Sequence, residues 1–204
     1  KTILNENSIN TPNSILLNNL KNCSNNPFDC FEKKFGYKPN LFMKPCEDGS
    51  SIDIFKISND EDYKKAKLNC LNLEREFIFE ESIEGREFTV TIIGNKCYPV
   101  IEIKTQNDFY DYDAKYISDD TILDQAKLSD NELNIINDIA LRAFHALKCS
   151  GWARVDIIQD KNGNFNVIEI NTVPGMTSHS CVPKSASFMG LSYQDVIKEI
   201  LINV

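Results

Sequence analysis

The side chains with the clearest chemistry in this sequence lie between Arg154 and Asn171, on either side of an Asn-Gly pair. Asn162-Gly163 favours a two-residue type I′ hairpin turn, because both central residues of that turn need a positive φ. A two-residue turn fixes the register of the strands that it joins. Counting outward predicts four cross-strand pairs, which are Lys161 with Asn164, Ile158 with Val167, Asp156 with Glu169 and Arg154 with Asn171.

This register gives the hairpin one polar face and one apolar face, because side chains alternate along a strand. The polar face carries Arg154, Asp156, Glu169 and Asn171, and the apolar face carries Val155, Ile157, Ile168 and Ile170. Two opposed carboxylates repel each other unless a cation or a shared proton compensates them. Oxygen ligands of this kind suit magnesium better than zinc. A solvated face whose charges Arg154 balances is the alternative that the hairpin leaves open.

Several elements are predicted to position this hairpin. Strands are expected at 41–44, 52–57, 76–81 and 86–93 as an antiparallel run, and Gly94-Asn95 is expected to turn the last of these into a further strand. A helix of about 60–71 is predicted from a capping box of Ser58 and Glu61. Two later capping boxes, Ser129 with Glu132 and Ser192 with Asp195, each predict an amphipathic helix.

Two other stretches contain groups that suit ligand binding. The Gly49-Ser50-Ser51 turn offers backbone N–H groups and hydroxyls to phosphate, with Lys44 as a point charge, although a plain hairpin with a surface lysine is the commoner explanation of such a pattern. Glu80 and Glu87 flank a loop and are suited to hydrogen-bond a ligand, or are exposed carboxylates at strand ends.

Residues 105–127 form a long irregular segment with an aromatic cluster, FYDYDAKY. Such segments in compact domains are usually functional or disordered, and the aromatic residues argue against disorder. Packing of these rings onto the core is the alternative to a functional role.

Composition narrows the class of protein. The chain has 204 residues, 42% of them hydrophobic, and a net charge of −8, which argues against nucleic acid or an anionic membrane as the main partner. No apolar run approaches the roughly 20 residues that span a bilayer. The seven cysteines contain no CxxC pair and indicate reduced thiols, so we expect a cytoplasmic protein.

Five stretches, in order along residues 40 to 193, resemble the D-alanine-D-alanine ligase family of ATP-grasp enzymes. They are KPCEDGSS, EESIEGREFTV, FYDYDAKY, GWARVD and IEINTVPGMTSHS. The resemblance implies an α/β (α+β) ATP-grasp fold of antiparallel sheets with flanking helices and ATP between two lobes. It places the small lobe at residues 1–85 and the C-terminal lobe, with the flexible loop and metal-binding hairpin, at 86–204.

The resemblance also implies a role for each candidate residue. The phosphates of ATP would be bound by Lys44 and by the loop of Gly49, Ser50 and Ser51. Glu80 would bind the adenine side and Glu87 the ribose hydroxyls. Tyr110 and Lys115 would bind ATP from the flexible loop. Ser50, Lys115 and Tyr116 would also serve catalysis, and Tyr116 would help to select the substrate.

The remaining implied roles lie in the hairpin and the loop after it. Asp156, Glu169 and Asn171 match ligands of Mg²⁺ or Mn²⁺, which agrees with the register argument. Arg154 and Gly175 match catalytic groups that hold the acyl phosphate, and Ser180 matches the residue that binds the carboxylate of the second D-alanine. The implied reaction joins two D-alanines for peptidoglycan precursor synthesis, and family ligases often form homodimers.

The sequence departs from the family pattern at three points. Asp53 stands where the family usually has glycine, which places a carboxylate near the triphosphate, and Cys181 replaces an aliphatic residue. The N-terminal domain of the family is absent from this chain. Two alternatives therefore stand beside the D-alanine ligase: a non-catalytic or degenerate ATP-binding module, and a ligase that uses D-lactate or D-serine as second substrate.

Overall fold

The structure is a computed structural model that describes residues 1–47, 53–104, 122–177 and 179–204. Within these residues the chain forms ten strands and six helices. The strands are β1 Ser14–Asn18, β2 Leu41–Pro45, β3 Phe55–Ile57, β4 Glu76–Glu81, β5 Arg86–Ile93, β6 Lys96–Cys97, β7 Ile101–Lys104, β8 Ile122–Gln125, β9 Trp152–Gln159 and β10 Phe165–Asn171. The helices are α1 Thr2–Glu6, α2 Pro27–Phe35, α3 Asp60–Asn69, α4 Asp130–Ala146, α5 Cys181–Ser187 and α6 Tyr193–Asn203.

The chain divides into two compact units. One contains the described residues of Pro12–Ile83, and the other contains Lys1–Thr11 together with the described residues from Glu84 to Val204. The assignment of lobes to residues 1–85 and 86–204 stays a prediction, and Lys1–Thr11 groups with the later part of the chain.

The first unit is built on an antiparallel sheet with the strand order β1-β4-β2-β3. Leu41, Met43, Phe77 and Phe79 alternate along β2 and β4 and are fully buried on one face. Helices α2 and α3 supply side chains to the same core, among them Phe31. The opposite face of β2 and β4 is therefore free to carry polar side chains.

The second unit is built on a sheet with the strand order β10-β9-β5-β7-β8, and β6 pairs with β5. One face packs on α4 and buries Val90, Val155 and Ile157. The other face contributes Ile93 to a smaller core with Val182 of α5 and with α6. Because side chains alternate, the even-numbered residues of β9 from Trp152 to Asp156 lie on this second face.

The capping signals were largely correct. Capping boxes at Ser129 and Ser192 are confirmed at the start of α4 and α6. The predicted cap of α3 is wrong, because Asn59, and not Ser58, accepts hydrogen bonds from the N–H groups of the first turn. Asparagine at an extended backbone position competes directly with a neighbouring serine for this role.

The bounds of strands 76–81 and 86–93 are confirmed, but their pairing with each other is wrong. Strand β4 pairs with β1 and β2, whereas β5 lies in the other sheet between β7 and β9. Gly85, between the two strands, explains the change of sheet, since a side-chain Cβ there would come within 1.7 Å of the Gln159 carbonyl oxygen. The chain enters the second sheet through this close approach to β9.

Among the residues that the structure describes, no helix is long and apolar enough to cross a membrane.

Candidate functional site

The hairpin of β9 and β10 closes through three residues, not the two that the sequence predicts. The Asp160 N–H donates to the Asn164 carbonyl at 2.9 Å, and the Gly163 N–H donates to the Asp160 carbonyl at 3.0 Å. The Asp160 carboxylate also accepts from the N–H groups of Asn162 and Asn164, both at 2.8 Å. These bonds stabilise a loop of residues 161–163, so the predicted two-residue turn is wrong.

The longer loop shifts the pairing next to it by one residue. Ile158 lies opposite Asn166, and Val167 lies opposite Ile157, so the predicted pair of Ile158 and Val167 is wrong. A β-bulge between Val167 and Glu169 then shifts the register back. The two shifts cancel for the rest of the hairpin.

Beyond the bulge, the predicted register of the polar residues is confirmed. Asp156 lies opposite Glu169, and Arg154 lies opposite Asn171. Asp156 is only 5% exposed, while Glu169 is exposed to solvent. Val167 is fully buried in the core.

The four polar side chains form one hydrogen-bonded cluster around Asp156. The Arg154 guanidinium donates two hydrogen bonds to the Asp156 carboxylate, from Nε to Oδ1 at 2.9 Å and from Nη2 to Oδ2 at 2.7 Å. Asn171 Nδ2 donates to Asp156 Oδ2 at 3.0 Å and to Glu169 Oε1 at 3.2 Å. The amide nitrogen thus lies between the two carboxylates.

Thr89 completes this cluster and was missed by the sequence analysis. Its hydroxyl donates to Asp156 Oδ1 at 2.7 Å from the neighbouring strand β5, and both residues are buried. Strand β5 pairs Thr89 directly with Asp156. The alternation of REFTVTII indicated a strand but did not indicate which strand would lie beside it.

The ionisation of Arg154 follows from these contacts. Burial disfavours the charged guanidinium, but the charge and hydrogen bonds of Asp156 outweigh burial and raise the pKa of Arg154 above its ordinary value. Cys181 and Glu169 contribute in the same direction. Arg154 is therefore a fixed positive charge in a largely buried position.

The chemistry of this cluster fits a hard divalent cation. Two carboxylates of like charge, Asp156 and Glu169, converge on a single amide donor, where a cation would neutralise both. Asn171 Nδ2 faces both carboxylates, so Asn171 would serve as a ligand only after its amide rotates to present the oxygen. Within the described ranges, no group of three His, Cys, Asp or Glu side chains is arranged to hold a metal, so this set of two carboxylates and an amide is the candidate.

The structure brings the predicted substrate residues Gly175 and Ser180 together. A Cβ built on Gly175 would lie 2.9 Å from Ser180 Oγ, so a larger residue would displace this hydroxyl. Ser180 Oγ accepts from the Thr177 N–H at 3.0 Å. Ser180 also precedes Cys181, the buried first residue of α5, whose thiol lies close enough to contribute to the raised pKa of Arg154.

The structure also brings together Lys44 and Glu80, on the face of the first sheet that points away from its core. Lys44 Nζ lies 2.5 Å from Glu80 Oε1 and 5.2 Å from the centre of the Phe42 ring. Glu80 is 4% exposed, so the ion pair is largely shielded from water. Glu87 lies in the other unit, half-buried on β5 opposite Ile103.

The remaining predicted site residues lie outside the described residues. They are Gly49, Ser50, Ser51, Tyr110, Lys115 and Tyr116.

Asp53 follows the first of these undescribed stretches and has a defined set of partners. Its carboxylate pairs with Arg75 and accepts from the Leu71 N–H at 3.1 Å and from Cys70 Sγ at 3.5 Å. Asp53 has a φ of +56°, in the left-handed region that glycine adopts most easily. Its negative charge is therefore balanced by an arginine within the same unit.

Comparisons with known proteins agree with the fold and with the motifs. The family model of the D-ala D-ala ligase C-terminus matches residues 3–202. The D-alanine–D-alanine ligase of Actinobacillus succinogenes is 39% identical over 162 residues, which are 79% of this chain and 53% of that protein. The enzyme of the same name from Marinomonas sp. is 40% identical over 178 residues, 86% of this chain and 56% of that protein. The chain thus spans about half the length of these curated relatives.

Solved structures show the same fold. The D-alanine–D-alanine ligase from Bacillus anthracis superimposes with a TM-score of 0.82 at 34% identity, covering 98% of this chain and 64% of that one. A structure of that enzyme complexed with ATP gives 0.79 at 29%, covering 98% and 62%. The VanG D-Ala:D-Ser ligase from Enterococcus faecalis gives 0.80 at 27%, covering 98% and 58%. The fold is therefore the mixed α/β ATP-grasp fold of these ligases, as the sequence predicts.

The family model matches this chain along almost its whole length, and solved ligases share its fold. The chain therefore belongs to the D-alanine–D-alanine ligase family, of which it represents the C-terminal portion.

Proposed function

We propose that this chain is the ATP-binding and metal-binding portion of an ATP-dependent ligase that joins two D-alanines for peptidoglycan precursor synthesis in the cytoplasm. The observation that carries the proposal is the cluster of Arg154, Asp156, Glu169 and Asn171, which combines two carboxylates with a buried guanidinium on one sheet face. The names of the curated relatives and the ATP complex of the Bacillus anthracis enzyme support it.

In this proposal the carboxylate of one D-alanine attacks the γ-phosphate of ATP and releases ADP. The amine of a second D-alanine then attacks the acyl phosphate, loses a proton and expels phosphate, which leaves D-alanyl-D-alanine. Negative charge grows first on the transferring phosphoryl oxygens and then on the carbonyl oxygen. Fixed cationic groups that are already in place stabilise such charge most effectively.

Asp156, Glu169 and Asn171 are proposed to hold Mg²⁺, or Mn²⁺ in its place. The bound ion would neutralise phosphoryl oxygens of the nucleotide. Arg154 is held with its charge at the same face and is suited to contact the acyl phosphate. Its bidentate bond to Asp156 fixes the guanidinium plane before any substrate binds, so little reorganisation is needed.

The nucleotide-binding roles that the resemblance implies are kept as proposals. Lys44 would meet the phosphates, Glu80 the adenine and Glu87 the ribose hydroxyls. The ion pair of Lys44 with Glu80 keeps the lysine ammonium in a defined position on β2. Contacts with ATP are also proposed for Gly49, Ser50, Ser51, Tyr110 and Lys115, which lie outside the described residues.

The second D-alanine is proposed to bind beside the loop before α5. Ser180 Oγ would hold its carboxylate, the Gly175 N–H would face the reacting carbonyl, and Tyr116 would help to select the amino acid. Contact between Gly175 and Ser180 supports this placement, because the glycine leaves the hydroxyl room to meet a ligand. A homodimer is also proposed, on the resemblance alone.

Glu169→Gln tests the cation site. Loss of one carboxylate charge is expected to weaken Mn²⁺ binding, followed by electron paramagnetic resonance, by about tenfold or more, and to lower Mg²⁺-dependent ADP formation by about 10²-fold. Glu84→Gln is the matched control, because Glu84 is an exposed carboxylate that pairs with Lys161 in the same unit. Unchanged Mn²⁺ binding in E169Q would argue against Glu169 as a ligand.

A ligase that uses D-serine as second substrate is the competing proposal, because the VanG D-Ala:D-Ser ligase has a similar fold. The two proposals differ in the product formed when D-alanine and D-serine compete at equal concentration. Mass spectrometry of the dipeptides would decide: D-alanyl-D-alanine as the main product supports the first proposal, and D-alanyl-D-serine supports the second.

A further inference from the structure

A single β-bulge decides which face of β10 carries Glu169. Phe165 and Val167 are buried in the core of the second unit, and strict alternation would direct Glu169 into the same core. The extra residue, Ile168, reverses the alternation, so that Glu169 lies opposite Asp156. Without the bulge, the two carboxylates would not share a face.

The position of Ile170 agrees with this reversal. It packs against the same core as Phe165 and Val167, although it lies an odd number of residues from both. A regular strand cannot bury residues at this spacing on one face. The bulge therefore places Ile170 against the core on one face of the sheet and Glu169 in the polar cluster on the other face.

The N-terminal segment of the chain holds the bulge from outside the hairpin. The Val167 N–H donates to the Asn10 carbonyl at 2.8 Å, and the Thr11 hydroxyl donates to the Val167 carbonyl, also at 2.8 Å. Lys1 Nζ donates to the Ile168 carbonyl at 2.9 Å. Bulges interrupt the regular ladder, so their backbone groups depend on partners of this kind.

We propose that Thr11 is a positioning residue for the proposed cation-binding hairpin. The hydrogen bond from its hydroxyl to the Val167 carbonyl, here called the clamp, stabilises the bulge that keeps Glu169 opposite Asp156. The inference rests on the proposed function in one respect, the cation held by these carboxylates. Thr11 is buried, at 8% exposure, and its bond to Val167 joins residues 156 positions apart in the chain. It touches neither carboxylate and acts through the backbone of β10.

Thr11→Val tests the clamp, since valine keeps the shape of threonine but removes the donor. If the bulge is then held in only a fraction of the molecules, Mn²⁺ affinity falls in proportion to that fraction. We expect Mn²⁺ binding, measured by electron paramagnetic resonance, to weaken by up to about fivefold, the largest loss that one ordinary hydrogen bond can cause in this way. The Val167 amide should also exchange its hydrogen faster. Thr11→Ser retains the hydroxyl and should restore both properties.

Ser185→Ala is the matched control. The Ser185 hydroxyl is also buried in this unit and donates to a backbone carbonyl, that of Pro99, at 2.6 Å, but it lies on α5 and not beside the bulge. We expect S185A to lose stability and to keep Mn²⁺ affinity within about twofold of the wild type, because no ligand depends on this bond.

The outcomes separate the clamp from the cation site. Mn²⁺ affinity and Val167 exchange as in the wild type in T11V would overturn the clamp, as would an equal loss of affinity in S185A. Should the valine variant not fold, Thr11→Ala removes the same hydroxyl and is judged by the same criteria. If the wild type itself binds no Mn²⁺, the cation site fails, and Val167 exchange in T11V against T11S still decides the clamp.

Discussion

At the scale of residues, the buried carboxylate of Asp156 organises the site. Thr89, Arg154 and Asn171 all donate to it, so both of its oxygens are held in place at the site proposed for the cation. Partners that orient a metal ligand in this way usually affect metal affinity nearly as much as the ligands do. Asp156 is therefore held in a buried, preorganised position, which distinguishes it from a carboxylate on a solvated face.

Thr89→Val should show how much this orientation contributes. Removing the hydroxyl leaves Asp156 Oδ1 with one donor fewer in a buried position, and we expect about 1–3 kcal/mol less stability and about tenfold weaker Mn²⁺ binding. Urea unfolding and electron paramagnetic resonance measure the two effects. Thr89→Ser should recover most of both. Mn²⁺ affinity in T89V equal to that of the wild type would show that the hydrogen bond from Thr89 to Asp156 does not contribute to metal binding.

The sequence was enough to predict the place of Arg154 in the site, but not that of Thr89. Arg154, Asp156, Glu169 and Asn171 share one hairpin, so local register was enough to group them. Thr89 reaches the cluster from 67 residues away, and its position depends on the pairing of β5 with β9. No local pattern encodes such a tertiary pairing.

At the scale of elements, the hairpin of β9 and β10 has the predicted polar pairs for reasons that the sequence did not show. Asp160 lengthens the turn by one residue, and the bulge at Ile168 removes the resulting offset. The first effect is local, because an aspartate two residues before Asn162 can accept from the loop N–H groups. The second depends on Thr11, which is remote in sequence. The predicted pairing of Asp156 with Glu169 thus relied on two compensating features.

Asp160→Ala tests the loop. The pKa of Asp160 is lowered, first by the Asn164 side-chain hydrogen bond, which outweighs the small effect of burial. A lowered pKa means that the ionised form stabilises the fold above the ordinary value of 3.8, and that this contribution is lost as the pH falls through the lower folded value. We expect D160A to be less stable at pH 7, by about 1 kcal/mol or less since the group is exposed.

Urea unfolding at pH 7 and pH 3 measures this difference, which should shrink at the lower pH. Asp124→Asn is the control, because it removes an exposed ion pair with Lys104 at 3.2 Å and should change stability little at either pH. A D160A variant as stable as the wild type at pH 7 would show that the three-residue loop does not depend on this carboxylate.

At the scale of the whole molecule, the order of the five motifs identified the family, and the fold agrees with it. Strand bounds such as Glu76–Glu81 and Arg86–Ile93 were predictable, because hydrophobic alternation is local. The separation of these strands into two sheets was not, because it depends on the close approach of Gly85 to Gln159. Local patterns define elements, and tertiary contacts assign them to sheets.

Asp53 bears on whether the molecule is a catalyst or a degenerate ATP-binding module. The sequence raised the second alternative partly because a carboxylate near a triphosphate would oppose binding. The pairing of Asp53 with Arg75, and its bond from the Leu71 N–H, balance that charge locally. This favours the ligase, because the negative charge that Asp53 introduces in place of glycine is paired with Arg75.

Dipeptide formation tests the central claim most directly. The chain, together with the rest of the ligase supplied as a second polypeptide or in one longer protein, would be incubated with D-alanine, ATP and Mg²⁺, and D-alanyl-D-alanine and ADP quantified by mass spectrometry. We predict equal amounts of both products, dependent on D-alanine and on Mg²⁺, and about 10²-fold less of both in E169Q but not in E84Q. ATP binding without any D-alanine-dependent ADP or dipeptide would contradict the ligase and favour a non-catalytic module.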